Sequence, residues 1–180
     1  INYVADNASG EYSGADYTIT VSVSTPATGA VVKYSESATG PWQDAPIYYK
    51  DVCNAKPIYF QITAEGYTTV VDSRTVTINA KPISNDFVWL VFPPDDYIYD
   101  GTAKIPDVAC GDGNPSIITT SDFSVSFENN INAGTATATF TGKGNYTGTA
   151  TEDFEIFKAD NEWITEPSLA GWTYAQTPSE

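Results

Sequence analysis

The sequence predicts an all-β protein built as two tandem β-sandwiches with the start of a third repeat. Three observations point there. Apolar residues alternate with polar ones at a period of two in run after run, the spacing of a half-buried strand. Turn-forming residues separate these runs at short intervals, as a sandwich requires. The two halves of the 180-residue chain carry similar motifs in the same order, which marks an internal repeat. The length suits two domains of about 70–90 residues, and a hydrophobic fraction of 41% is enough to fill two cores.

The strands follow in order. In the first half, Tyr17-Thr18-Ile19-Thr20-Val21-Ser22-Val23 is a clean alternating run. Ile58, Phe60 and Ile62 alternate with Tyr59, Gln61 and Thr63, and Val76 and Ile78 alternate with Thr75 and Thr77. In the second half, Phe123, Val125 and Phe127 alternate with serines and Glu128. Ala136, Ala138 and Phe140 alternate with threonines, and Phe154 and Ile156 with Glu155 and Phe157. Breaks fall at Pro26-Ala27-Thr28-Gly29, at Gly40-Pro41, between Gly111 and Pro115, and between Gly142 and Asn145. No stretch of about a dozen residues holds a helical period. Threonine, serine, tyrosine and valine are plentiful, which favours strands.

Gly66-Tyr67-Thr68 matches Asn145-Tyr146-Thr147, with the tyrosines 79 residues apart. Tyr12-Ser13-Gly14-Ala15 matches Tyr99-Asp100-Gly101-Thr102-Ala103, with the tyrosines 87 apart. Boundaries near Ala80-Lys81-Pro82-Ile83 and Lys158-Ala159-Asp160 divide the chain into repeat 1 (1–82), repeat 2 (83–159) and the opening of a third repeat (160–180). Gly171-Trp172-Thr173-Tyr174 sits where that third unit should open. The chain begins at Ile1 and contains no methionine, so it reads as a mature product or a piece of a longer tandem array.

Charge and composition exclude several functions. There are 23 acidic residues against 8 basic ones, for a formal charge of −15. Nothing here neutralises a row of phosphates, so nucleic acid is excluded as a partner. Direct contact with an anionic membrane surface is excluded for the same reason. There is no histidine, which removes His-based triads and His-ligated zinc. The longest apolar run, Phe87 to Phe92, has six residues, far short of the ~18 that span a bilayer. The adjacent pairs Glu152/Asp153 and Asp95/Asp96 point to opposite faces of a strand, so neither flanks one glycosidic bond. No phosphate loop, nucleophile elbow or metal triad is present. The expectation is a protein that is not an enzyme.

Tyr99-Asp100-Gly101-Thr102-Ala103-Lys104, Asn132-Ala133-Gly134-Thr135-Ala136-Thr137 and Thr141-Gly142-Lys143-Gly144-Asn145-Tyr146-Thr147-Gly148 carry a resemblance. Their order and spacing over residues 85–158 resemble the bacterial immunoglobulin-like repeats, MBG-type modules included, of Gram-positive secreted and cell-wall proteins. Repeat 1 is similar more loosely: Asn54-Ala55-Lys56-Pro57 stands where the family pattern has Asn-Ala-Gly-Thr. The resemblance implies tandem immunoglobulin-like β-sandwiches in an extracellular protein, secreted or attached to the cell wall. It implies a spacer or an adhesin, with neighbouring repeats and a host protein or glycan as partners. It names no ligand, because such folds serve many functions.

Four groups of residues are candidate sites. Cys53 and Cys110, one per half, are expected at the domain junction. They pair there in a stiffening disulfide, stay buried as thiols, or bridge to another molecule. Asp95, Asp96 and Asp100, with Asp107 and Asp112 nearby, gather hard oxygens around the entry to repeat 2. They are a calcium candidate set, or simply a solvated acidic face. Trp42, Tyr48, Tyr49 and Tyr59 surround the middle of repeat 1. Exposed, such rings stack on sugars or bind a protein; buried, they are core or cross-strand pairs. The Phe87–Phe92 run does not alternate in sequence, so Phe87 and Trp89 are expected to be covered at the domain junction, with an exposed partner-binding row as the second reading.

Overall fold

The computed structural model describes residues 1–111, 113 and 116–160. The expected third repeat beyond residue 160, and Asp112 of the acidic group, lie outside the described residues. Among the described residues the structure is all-β, with thirteen strands in several sheets and no helix, consistent with β-sandwich packing.

Repeat 1 supplies β1 (Asn2–Asp6), β2 (Ala8–Glu11), β3 (Thr20–Thr25), β4 (Val31–Ser35), β5 (Cys53–Thr63) and β6 (Val70–Asn79). β1 pairs antiparallel with β3. A four-stranded sheet runs β2-β6-β5-β4, with β2 parallel to β6. The chain changes sheets at Asn7, whose side-chain oxygen accepts from the Thr75 amide at 2.9 Å. Ile58, Phe60, Ile62, Val76 and Ile78 are essentially fully buried. Tyr3 of β1 meets Phe60 edge-on at 5.5 Å, joining the two sheets through their shared core. Each such aliphatic or aromatic side chain contributes about 1.5–3 kcal/mol by leaving water. The alternating run at Tyr17 enters its sheet later than its pattern suggests. Tyr17 exchanges both backbone hydrogen bonds with Tyr49, at 2.8 and 2.9 Å, and β3 begins only at Thr20.

Repeat 2 supplies β7 (Lys81–Pro82), β8 (Val88–Val91), β9 (Asp107–Cys110), β10 (Phe123–Glu128), β11 (Gly134–Gly142), β12 (Tyr146–Thr147) and β13 (Thr149–Ile156). β8 pairs with β9, and β10-β11-β13 form an antiparallel sheet. Val88, Leu90, Phe123, Ala136, Ala138, Phe140, Phe154 and Ile156 fill a second core. In both halves the strand order is alike: β4-β5-β6 corresponds to β10-β11-β13. Beside the last strand lies parallel β2 in the first half and an isolated parallel bridge, Ile98 to Phe157, in the second. Tyr12 N donates to Asn79 O at 2.8 Å, and Tyr99 N donates to Phe157 O at 2.8 Å.

The Phe87–Phe92 run is corrected here. Val88 and Leu90 face the core, while Trp89 and Val91 are 40% and 43% exposed. The neighbouring half does not cover them, because it meets repeat 2 along β7 and β12 instead. The free edge of β8 is capped: the Leu90 amide donates to the Glu152 carboxylate at 2.7 Å, which blunts an edge that would otherwise pair with another strand.

Two predictions follow from the packing. Phe60→Ala and Phe140→Ala each remove a buried ring and are expected to cost about 3–5 kcal/mol in denaturant unfolding; a loss below about 1 kcal/mol at either would show that the ring is not core. Asp72 accepts from Tyr3 Oη at 2.7 Å and from Arg74 at 2.8 Å. The Tyr3 hydroxyl first, with Ser73 N–H and Arg74, holds its carboxyl below the usual carboxylate range. A depressed folded pKa contributes stability above the unfolded value of about 3.9, and that contribution is lost as pH falls through the carboxylate range. Asp72→Asn therefore lowers the melting temperature at neutral pH, and the gap to wild type closes in acid. A gap independent of pH would contradict the pairing.

Candidate functional site

Three regions of the surface have the geometry of a functional site: the junction between the halves, a cleft in repeat 1, and the outer face of β8.

The junction is built on one asparagine. Asn145 follows Gly144, whose φ of +62° favours glycine and turns the chain back so that Tyr146 N reaches Lys143 O at 3.0 Å. The Asn145 side-chain oxygen accepts from Val52 N at 2.8 Å, and its amide donates to Asp51 at 2.9 Å. Its backbone carbonyl accepts from Lys81 N at 2.9 Å, and Ile83 N donates to Thr147 O at 2.8 Å. The linker strand β7 thereby runs parallel to β12. Gly142 makes this possible: a Cβ there would stand 2.7 Å from Thr147 N. Tyr12, from repeat 1, meets Tyr146 edge-on at 5.6 Å and packs against both cores.

The cleft lies between β4 and β5. There the chain spends residues 36–52, against residues 129–133 at the matching place between β10 and β11. Ser35, Glu36, Ser37, Pro41, Gln43, Pro46, Ile47 and Tyr48 line a cleft of about 520 Å³. Gln43 exchanges both backbone hydrogen bonds with Tyr34, at 2.8 and 2.9 Å, which ties the excursion to the sheet. Of the ring candidates, Tyr48 is 54% exposed and lines the cleft. Trp42 is half-buried, its indole packed on Gly40. Tyr59 pairs with Ser35 and Ser73, so it lies on the sheet face opposite Phe60 and is half-buried. Tyr49 is a core residue: its ring is buried, its hydroxyl donates to Pro57 O at 3.4 Å, and Lys56 Nζ sits 4.0 Å above the ring. Burial pushes its phenol upward. Tyr49 thus falls out of the exposed aromatic set.

The outer face of β8 presents Trp89 and Val91, continued by Phe92 at 48% and Ile105 at 64% exposure. Phe87 belongs elsewhere. It is half-buried against the second core, with Lys81 Nζ 4.5 Å above its ring.

The two cysteines do not join. Both are thiols. Each is turned into the core of its own half, Cys53 toward Val76 O at 3.6 Å and Cys110 toward Ile118 O at 3.7 Å. Of the fates left open for the pair, the interdomain disulfide is absent and both stand as half-buried thiols. The calcium set does not assemble either. Among the described residues no three or more acidic, cysteine or histidine side chains gather to hold a metal. Asp100 is engaged by its own turn, at 2.9 Å and 2.6 Å from Thr102 and 2.7 Å from Lys104 Nζ. Lys104 first, and Thr102 after it, hold its carboxyl well below the usual range. Asp95 and Asp96 line a separate hollow of about 210 Å³ with Tyr97, Phe154 and Phe157.

Asn145 and Asp51 were not among the candidates read from sequence, although a signal existed: the matching position of repeat 1 is Gly66, which has no side chain. Glu36 and Gln43 were also missed. Their signal was the change in repeat offset from 87 to 79 between the two tyrosine pairs, a net lengthening of eight residues in the first half between Tyr12 and Tyr67. No protein-family model matches this chain, and comparison with curated proteins finds no match.

Unfolded without reductant, the chain is expected to expose both thiols to a thiol reagent. A chain that reacts only after reduction would restore the disulfide.

Proposed function

We propose that this chain is a non-catalytic extracellular module of a Gram-positive bacterial surface protein, secreted or attached to the cell wall. It acts as a stiff spacer of tandem immunoglobulin-like repeats that holds a functional domain away from the cell. The observation that carries this reading is the junction. Backbone pairing of β7 with β12, the three hydrogen bonds on Asn145 and the Tyr12–Tyr146 contact tie the two halves at several points. A linker engaged along its length transmits orientation, where a free one would act as a swivel. The charge of −15 supports the same reading, since self-repulsion keeps an array extended and soluble.

A second reading is an adhesin that binds a host protein, or less favourably a glycan, through repeat 1. What favours it is the 36–52 excursion and its cleft with exposed Tyr48. Aromatic residues at the centre of a concave surface are frequent binding anchors.

Small-angle scattering tests the spacer. Asn145→Ala removes both side-chain bonds across the junction and is expected to broaden the distribution of end-to-end distances relative to wild type. An unchanged distribution would show that the clamp does not set the geometry. Capture from serum and mucus with wild type and Tyr48→Ala tests the adhesin. A partner lost in the variant supports it, and a blank result with wild type removes it.

A further inference from the structure

Each repeat ties its opening segment to its last strand, and the two do so unequally. In repeat 1 the segment 3–12 runs parallel to β6 and meets it step by step. Tyr3 Oη donates to Asp72 at 2.7 Å, and Arg74 Nε donates to Ala5 O at 2.7 Å. Thr75 N donates to the Asn7 side chain at 2.9 Å. Ala8, Ser9, Gly10 and Glu11 then pair with Val76, Thr77, Ile78 and Asn79, and Tyr12 N donates to Asn79 O at 2.8 Å. The contacts advance along both strands together, from Asp72 to Asn79.

In repeat 2 the segment 85–99 reaches β13 and the residue after it at separate points. Asn85 Nδ2 donates to Thr151 O at 2.7 Å, and Leu90 N donates to the Glu152 carboxylate at 2.7 Å. Further along, Tyr99 N donates to Phe157 O at 2.8 Å and Phe157 N to Tyr97 O at 2.7 Å, around the single bridge from Ile98 to Phe157. Between Glu152 and Phe157 the contact is between rings: Phe92 and Tyr97 pack on Phe154 at 6.4 and 5.7 Å.

The difference matters under load. A spacer under tension pulls each repeat at the start of its opening segment and at the end of its last strand. In repeat 1 these pulls are opposed along two adjoining parallel strands, so the bonds between them are sheared together and share the force. In repeat 2 the ties are spaced apart and load in turn, so few of them carry the force at any moment. We infer that the chain lengthens in two stages under tension: repeat 2 opens first, and repeat 1 holds through the shear of segment 3–12 against β6. This rests on the spacer reading and names the repeat that yields. Forced opening follows the unfolding rate. Each hydrogen bond that must break in the same step raises that barrier, so repeat 2 is expected to open about tenfold faster or more at a common force.

The thiols give the readout, because Cys53 lies in repeat 1 and Cys110 in repeat 2, each half-buried in its own half. The full chain, tethered by its two ends, is held at a series of rising constant forces with a maleimide in solution. Cys53→Ser keeps the thiol of repeat 2 and Cys110→Ser keeps that of repeat 1, so each variant reports on the repeat it leaves untouched. The Cys110 thiol is expected to react at the lower force, where the Cys53 thiol reacts about tenfold more slowly or less. Asn7→Ala, read from extension alone, removes one tie of the sheared segment. It is expected to lower the force of the later extension step and to leave the earlier step in place. Cys53 reacting first, both thiols reacting at one force, or a later step that Asn7→Ala leaves unchanged overturns the inference. Scattering from the unloaded chain separates this from the spacer reading. A broad distance distribution defeats the spacer and leaves the order of opening standing; a narrow distribution with simultaneous opening defeats the order alone.

Discussion

The side chain of Asn145 is where the two halves of the molecule depend on each other. Its amide reads the backbone of Val52 and the carboxylate of Asp51, and its main chain holds the linker strand. A hydrogen bond is worth only about 0.5–1.5 kcal/mol net, so no single one of these fixes the angle between the halves. Their arrangement does. One residue of the second half bonds the first half at Asp51 and Val52 and also the strand that connects the two, and the Tyr12–Tyr146 contact lies alongside. Gly142 lets the turn that carries Asn145 fold closely back on its own strand, because a Cβ there would stand 2.7 Å from Thr147 N.

Each half builds its core by the same means. The central strand places every second side chain inward: Ile58, Phe60 and Ile62 on β5, and Ala136, Ala138 and Phe140 on β11. Polar side chains secure the places where hydrogen bonding would otherwise fail. Asn7 bonds the Thr75 amide where the chain changes sheets, and Glu152 bonds the Leu90 amide at an edge. The contents differ between the halves. Repeat 1 spends its insertion on a cleft, whereas repeat 2 spends an apolar strand on an exposed face.

The all-β architecture was legible because alternation reports directly on which face is buried. The alternating runs at Ile58, Phe123, Ala136 and Phe154 fall on strands whose inward positions are as read, apart from half-buried Val125 and Phe127. The Phe87–Phe92 run was misread because composition does not show which face of a strand meets solvent; Trp89 is apolar and exposed. Tyr48 and Tyr49 are neighbours of the same type with opposite fates: Tyr49 bridges to Tyr17 and turns its ring into the core, and Tyr48 faces solvent. The direction of each cysteine thiol depends on strand register, which the sequence does not show. The junction was the least legible part. Asn145 looks like an ordinary turn residue until Asp51 and Val52, more than ninety positions away, come within reach.

The proposed spacer depends on the joint between the halves being clamped. The most direct test is the alignment of the two halves in solution. Residual dipolar couplings from the backbone amides of repeats 1 and 2 are predicted to fit a single alignment tensor, with the halves in the relative orientation set by Asn145. Two tensors of clearly different magnitude would mean that the halves tumble on a free hinge, and the account of a stiff joint would be wrong.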